Sequence, residues 1–216
     1  MPRAIDFNCD LGEVDEPAQL TMEEQVMPWL TSVNIACGAH AGSSAVMRQV
    51  VRLAKRHGVA VGAHPSFPDR EGFGRRPMAM SPQELEAIVA CQVEALAGVA
   101  ALEGVSLRHV KPHGVLYGLT VRDRQVAEAV VCGIRAVNPH LYVMGLAGSV
   151  LLTVAREQGM SVVPEGFADR AYTAEGKLVG RGVPGAVIHH PVEVVQRAVR
   201  LVCEGLVESI EGGDVA

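Results

Sequence analysis

Apolar and polar positions alternate strictly through Ile5-Asp6-Phe7-Asn8-Cys9-Asp10, with Ile5, Phe7 and Cys9 on one face and Asp6, Asn8 and Asp10 on the other. A period of two predicts a strand whose apolar side packs on helices and whose polar side turns inward. The pattern then predicts a loop and a short helix over 14–31, a second strand over 33–37, and a glycine-bracketed turn, Gly38-Ala39-His40-Ala41-Gly42. Val46, Val50, Leu53 and Ala54 recur at helical spacing within a helix over 43–57. A third strand over 59–64 sets Ala60, Gly62 and His64 against Val59, Val61 and Ala63. A long Pro- and Gly-rich loop over 65–80 carries Asp69, Arg70 and Arg75, and loops of that length are often functional. Ser81-Pro82-Gln83-Glu84 is a capping box opening a helix to about residue 103. Strands over 106–111, 141–145 and 161–164 follow, with helices over 122–137 and 149–159. A second long loop over 165–188 holds Asp169, Arg170, Tyr172, Lys177 and Arg181. A last helix over 191–204, a seventh strand over 206–210 and a frayed tail from 211 complete the reading.

Gly58, Gly104, Gly159 and Gly205 each close a helix and each is followed at once by a strand. Strand, loop, helix, glycine is the repeating unit of parallel β/α folds. Seven such strands predict one α/β domain over 1–216, a parallel seven-stranded TIM-like barrel, whole or incomplete. About half of the 216 residues are hydrophobic, ample for one sizeable core. The net charge of −5 with mixed signs and no basic stripe argues against nucleic acid. No apolar run of membrane-span length and no signal-peptide core stand out, so a cytoplasmic protein is expected. Five scattered cysteines without a Cys-x-x-Cys pair read as free thiols. Neither a dinucleotide fingerprint nor a Walker loop is present.

Chemistry collects where apolar runs end. Asp10, His64 and His113 each sit at or just past the end of a different strand. One carboxylate and two imidazoles can make a facial set on a divalent metal with positions left for water or substrate. Glu13, His40 and Lys111 stand beside them as base, hydrogen-bond donor or electrostatic clamp, giving a catalytic set of Asp10, Glu13, His40 and Lys111. The same residues also fit plain hydrogen-bonded interior polar groups. Arg70 and Arg170, in the long loops, suit a carboxylate or phosphate. His109 reads as a satisfied interior histidine, and His57, His140, His189 and His190 as surface residues.

The stretches Asp6-Phe7-Asn8-Cys9-Asp10-Leu11-Gly12-Glu13, Val33-Asn34-Ile35-Ala36-Cys37-Gly38-Ala39-His40-Ala41-Gly42, Gly62-Ala63-His64-Pro65-Ser66-Phe67-Pro68-Asp69-Arg70, Phe73-Gly74-Arg75, Arg108-His109-Val110-Lys111-Pro112-His113-Gly114-Val115-Leu116-Tyr117 and Phe167-Ala168-Asp169-Arg170-Ala171-Tyr172, in this order, resemble the lactam-utilisation (LamB/YcsF) family. The resemblance implies a barrel of the glycoside hydrolase/deacetylase type. It implies ATP-dependent opening of 5-oxo-L-proline to L-glutamate in a complex with 5-oxoprolinase subunits B and C. A more distant similarity to YdjC-type carbohydrate deacetylases implies a divalent metal on Asp10, His64 and His113. Two alternatives stay open: a metal-dependent deacetylase acting on a small amide or N-acetyl sugar, on the strength of Asp10, His64 and His113, and a non-catalytic ligand-binding subunit, on the strength of a missing C-terminal unit. Family members are expected to continue past Ser209-Ile210 into a further strand and helix bearing Cys-x-His-Gly-Asp, which this sequence does not contain. ATP is expected either on Lys111, Arg70 and Arg170 or on a partner subunit.

Overall fold

The structure, a computed structural model, describes residues 5–14 and 16–215. Its contacts divide into two compact units, one of residues 6–164 and one of residues 165–215 together with Ile5. The larger unit is an α/β layer. Six strands, β1 (Asn8–Leu11), β2 (Ser32–Ala36), β3 (Ala60–His64), β4 (Leu107–Val110), β5 (Tyr142–Leu146) and β6 (Val162–Glu165), form one sheet in sequence order. The first five pair in parallel. Helices α1 (Pro17–Val26), α2 (Ser44–His57), α3 (Pro82–Leu102), α4 (Gly114–Thr120), α5 (Arg124–Val137) and α6 (Val150–Glu157) lie on the connections. Parallel neighbours require such crossovers, and strands covered by helices become apolar on that side. Val33, Ile35, Val61, Ala63, Val110 and Val143 accordingly join the buried faces of α2, α3, α5 and α6 in one core.

Local chemistry sets the helix ends. Ser43, Asp123 and Ser149 cap α2, α5 and α6 by accepting from the backbone three residues on. Ser81 and Glu84 form the expected reciprocal box on α3. Gly58 closes α2 at φ 69°, a left-handed position that only glycine takes without strain. α3 corrects one expectation, for its 21 residues are long and apolar enough to cross a membrane. It is nonetheless a capped crossover between β3 and β4, packed on α2 and α5.

Three further expectations are corrected. The parallel sheet has six strands among the described residues, not seven. Residues 207–208 instead form β7 (Val207–Glu208), antiparallel to β8 (Asp214–Val215). The predicted frayed tail is thus the return arm of a hairpin through Gly212 and Gly213, both at positive φ; Ala216 lies outside the described residues. Ile5 and Phe7 precede β1 and are more than half exposed, at 51% and 55%, so the apolar face predicted for the first strand does not pack on helices there. In the smaller unit, α7 (Pro191–Glu204) is closed by Gly205 at φ 72°. Arg170, Ala171, Tyr172 and Leu178 take part in short bridges and loop hydrogen bonds within it.

Register across the larger sheet prepares the site. Asp10, Asn34, Gly62 and His109 lie side by side on β1, β2, β3 and β4. The four residues form one row, a short distance below the carboxyl ends of the strands.

Candidate active site

Asp10 lies one residue from the end of β1, His64 is the last residue of β3, and Lys111 and His113 follow β4 directly. His40 sits on the glycine-bracketed turn after β2, where Gly38 and Gly42 adopt φ 90° and 80°. A Cβ on Gly42 would stand 3.0 Å from the carbonyls of Ala36 and Gly12, so that turn needs glycine for space as well as for conformation. Buried Glu23 accepts the Gly12 N–H at 2.9 Å and fixes the bend that presents Glu13.

The sequence-predicted donors converge. Asp10, His64 and His113 each offer a ligand atom, all within 4.8 Å of one another, and Glu13, His40 and His113 make a second such group. Backbone carbonyls set the tautomers. His64 Nδ1–H donates to Lys111 O at 2.7 Å, which leaves Nε2 facing Asp10 Oδ2 at 3.3 Å. His113 Nε2–H donates to Phe73 O at 2.9 Å, which leaves Nδ1 facing His64 Nε2 at 3.0 Å and Glu13 Oε1 at 3.4 Å. Two imidazole lone pairs and a carboxylate around one point repel unless a positive group stands between them. A proton on His64 Nε2 can do this, and so can a divalent cation. The donor set suits a borderline cation such as zinc(II), whose tetrahedral bonds of about 2.0–2.1 Å separate donors by roughly 3.3 Å. Bonding one ring nitrogen to a carbonyl is also the usual way a metal-ligating histidine is oriented.

Cationic and aromatic neighbours complete the pocket. Lys111 Nζ, buried with the rest of its side chain, reaches Asp10 Oδ1 at 3.2 Å and Asn8 Oδ1 at 3.1 Å. Burial opposes the charge on Asp10, but His64 and Lys111 outweigh it and hold the carboxyl well below its ordinary range. Partial burial likewise opposes the charge on half-buried Glu13, yet its hydrogen bond to His40 Nε2 at 3.3 Å and the nearby imidazoles lower its pKa. His40 stacks on His113 with ring centroids 3.9 Å apart and planes 3° from parallel. Its Nδ1 is buried without a partner. Burial pushes His40 and His113 down, His113 to about 4.

Phe73 edges both of these imidazoles, with centroids 5.4 and 5.3 Å away. It sits at φ 56°, a strained conformation for a residue with a side chain, of the kind that gathers at functional sites. That conformation carries its carbonyl onto His113. The sequence reading gives Phe73 no role in the site, although it lies in a matching stretch and its place between Gly72 and Gly74 in a long loop is a signal. Asn34 was missed too, although an amide between Val33 and Ile35 in a fully buried strand is the sort of polar residue that needs a reason.

The two predicted arginines are engaged with backbone. Arg70 donates to the carbonyls of Gly38 and Gly42, bracing the His40 turn. Arg170, buried in the smaller unit, donates to Val179 O and to Ala186 O at 3.2 Å. His109 is the satisfied interior residue expected, and His57, His140, His189 and His190 are exposed.

Residues 5–216 match the model of the LamB/YcsF family. The chain is 49% identical to the A subunit of 5-oxoprolinase from Chloroflexus aggregans over 98% of its length and 84% of that relative's. It is 46% identical to the A subunit of 5-oxoprolinase from Pyrococcus furiosus over 96% of its length and 82% of the other. The crystal structure of a lactam utilization protein from Thermus thermophilus superposes with a TM-score of 0.93 at 46% identity, covering 99% of this chain and 87% of that one.

Proposed function

Since the chain belongs to the LamB/YcsF family, we propose that it is the A subunit of a 5-oxoprolinase, a hydrolase that opens the cyclic amide of 5-oxo-L-proline to L-glutamate with consumption of ATP. The observation that carries the reading is near-full-length identity of 46–49% to proteins of that name. The converging donors at the strand ends give such a reaction a place. We further propose that Asp10, His64 and His113 hold a divalent cation, supported by the two lone pairs and the carboxylate facing one point. Such a cation would polarise a carbonyl and lower the pKa of a bound water. Glu13, kept ionised by its neighbours, is the group to accept a proton from the attacking water, and His40 orients it. Lys111 holds Asp10 in place and adds positive charge where an oxyanion would develop.

An unstrained five-membered lactam does not open readily, so phosphoryl transfer from ATP to the amide oxygen would supply the driving force. With Arg70 and Arg170 turned to backbone carbonyls, we assign ATP to the complex with the B and C subunits rather than to these side chains. We also read the six-stranded sheet as part of a glycoside hydrolase/deacetylase-type barrel, supported by sequential parallel pairing and a site at the carboxyl ends. The test is to combine the chain with subunits B and C, 5-oxoproline and ATP and to measure glutamate. Glutamate that requires the chain is expected. Acetate released from a small N-acetyl substrate by the chain alone, without ATP, would replace the proposal with a metal-dependent deacetylase.

A further inference from the structure

His109 lies on β4 and Asp10 on β1, yet a run of hydrogen bonds links them across the sheet. Adjacent strands are about 4.8 Å apart, so a side chain on β4 normally reaches no further than the flanking strands β3 and β5. Here the β3 position is Gly62. A Cβ on it would sit 2.1 Å from His109 Nε2, so the ring lies directly over the glycine and passes beyond it. It ends 2.7 Å from Asn34 Oδ1 on β2. Asn34, with no exposed surface, sends its Nδ2 to Asp10 Oδ1 and to Asn8 Oδ1, both at 2.8 Å.

The orientation of that amide has one workable solution. Turned over, its oxygen would face the Asp10 carboxylate and the Asn8 side-chain carbonyl at hydrogen-bond distance, two repulsive contacts in a buried place. His109 must therefore present Nε2–H, which makes Asn34 Oδ1 the acceptor and commits both Nδ2 hydrogens to Asn8 and Asp10. Lys111 Nζ donates to the same two oxygens. Asp10 Oδ1 is thereby fully occupied, and Oδ2 is the oxygen left to face His64 Nε2.

We propose that His109 is a positioning residue for Asp10, acting across Gly62 through the Asn34 amide to leave Asp10 Oδ2 turned into the site. Its consequence for turnover rests on the functional reading above; the geometry does not. Burial keeps His109 uncharged, with its pKa down at about 4, which suits a neutral donor.

The experiment compares His109→Phe, similar in shape but unable to donate, with His109→Gln, which returns an N–H near the Nε2 position. In the 15N-labelled chain, the Asn34 side-chain amide protons should exchange slowly in wild type and in His109→Gln, and at least about tenfold faster in His109→Phe. In the complete complex, His109→Phe should lower kcat about 10–100-fold, the usual cost of losing an outer hydrogen bond, with KM within about threefold. His109→Gln should restore most of kcat. Unchanged exchange and unchanged kcat in a folded His109→Phe, with only a lower melting temperature, would overturn the proposal. If His109→Phe does not fold, His109→Asn, polar but too short to cross Gly62, serves the same comparison. If the wild-type complex makes no glutamate, the functional reading falls, and the exchange comparison still decides the positioning role.

Discussion

At the scale of the residue, the centre is a set of ionisable groups whose pKa values are moved from their values in water. His109 is the case with a measurable consequence away from activity. Its native pKa is near 4, whereas the unfolded chain protonates it near the ordinary 6.5. Between those values the unfolded state binds a proton that the native state refuses, so stability falls as pH is lowered through the window. The loss should reach about 3 kcal/mol by pH 4 if His109 acts alone. Urea midpoints measured from pH 7 to pH 4 should show a steep fall in wild type and a shallower one in His109→Gln. The depressed Asp10 carboxyl works in the same direction at lower pH, since its stabilisation is lost as pH falls through its native pKa. Residue types at strand ends made Asp10, Glu13, His40, His64, Lys111 and His113 legible as a group. The row Asp10, Asn34, Gly62, His109 was not legible, because it exists only in the register of four strands distant in sequence.

At the scale of the element, periodicity and capping residues located most helices within a residue or two. Ser43, Ser81, Gly58 and Gly205 act as their types predict. The short helix α4 went unread because Gly114-Val115-Leu116-Tyr117-Gly118 carries two glycines and spans only about two turns. The 206–210 run reads as a seventh strand of the parallel sheet because a short valine-containing run has the same pattern in a hairpin arm. α4 also anchors the 65–80 loop. Val115 N–H donates to Gly74 O at 3.0 Å, and a Cβ on Gly114 would stand 2.4 Å from that oxygen. Gly114 is moreover at φ 59°. Gly114→Ala should therefore push the loop away, free Phe73 from His113, and open the 69–76 segment. Limited proteolysis should cut there at least about tenfold faster than in wild type, while circular dichroism keeps the helical signal of α2, α3 and α5.

At the scale of the whole molecule, a cation that binds only the folded chain adds to its stability by mass action. At about 100 times its dissociation constant, zinc(II) should raise the unfolding free energy by about 2.7 kcal/mol. Thermal melts with zinc(II) and then with excess chelator should show the rise and its reversal. His64→Ala should abolish both, and should itself cost about 1–3 kcal/mol by leaving the buried Lys111 carbonyl without its partner. A rise of equal size in His64→Ala would place the cation elsewhere. The sequential order of the sheet has a consequence for how the chain is made. Each strand after β1 pairs with the one synthesised just before it, and domains assemble from the N-terminal side as the ribosome releases about 5–20 residues per second. The donors of the pocket all come from residues 10–113. A nascent chain that has released residues through His113 carries every one of them, so the donor set can assemble before the C-terminal part of this sequence has emerged.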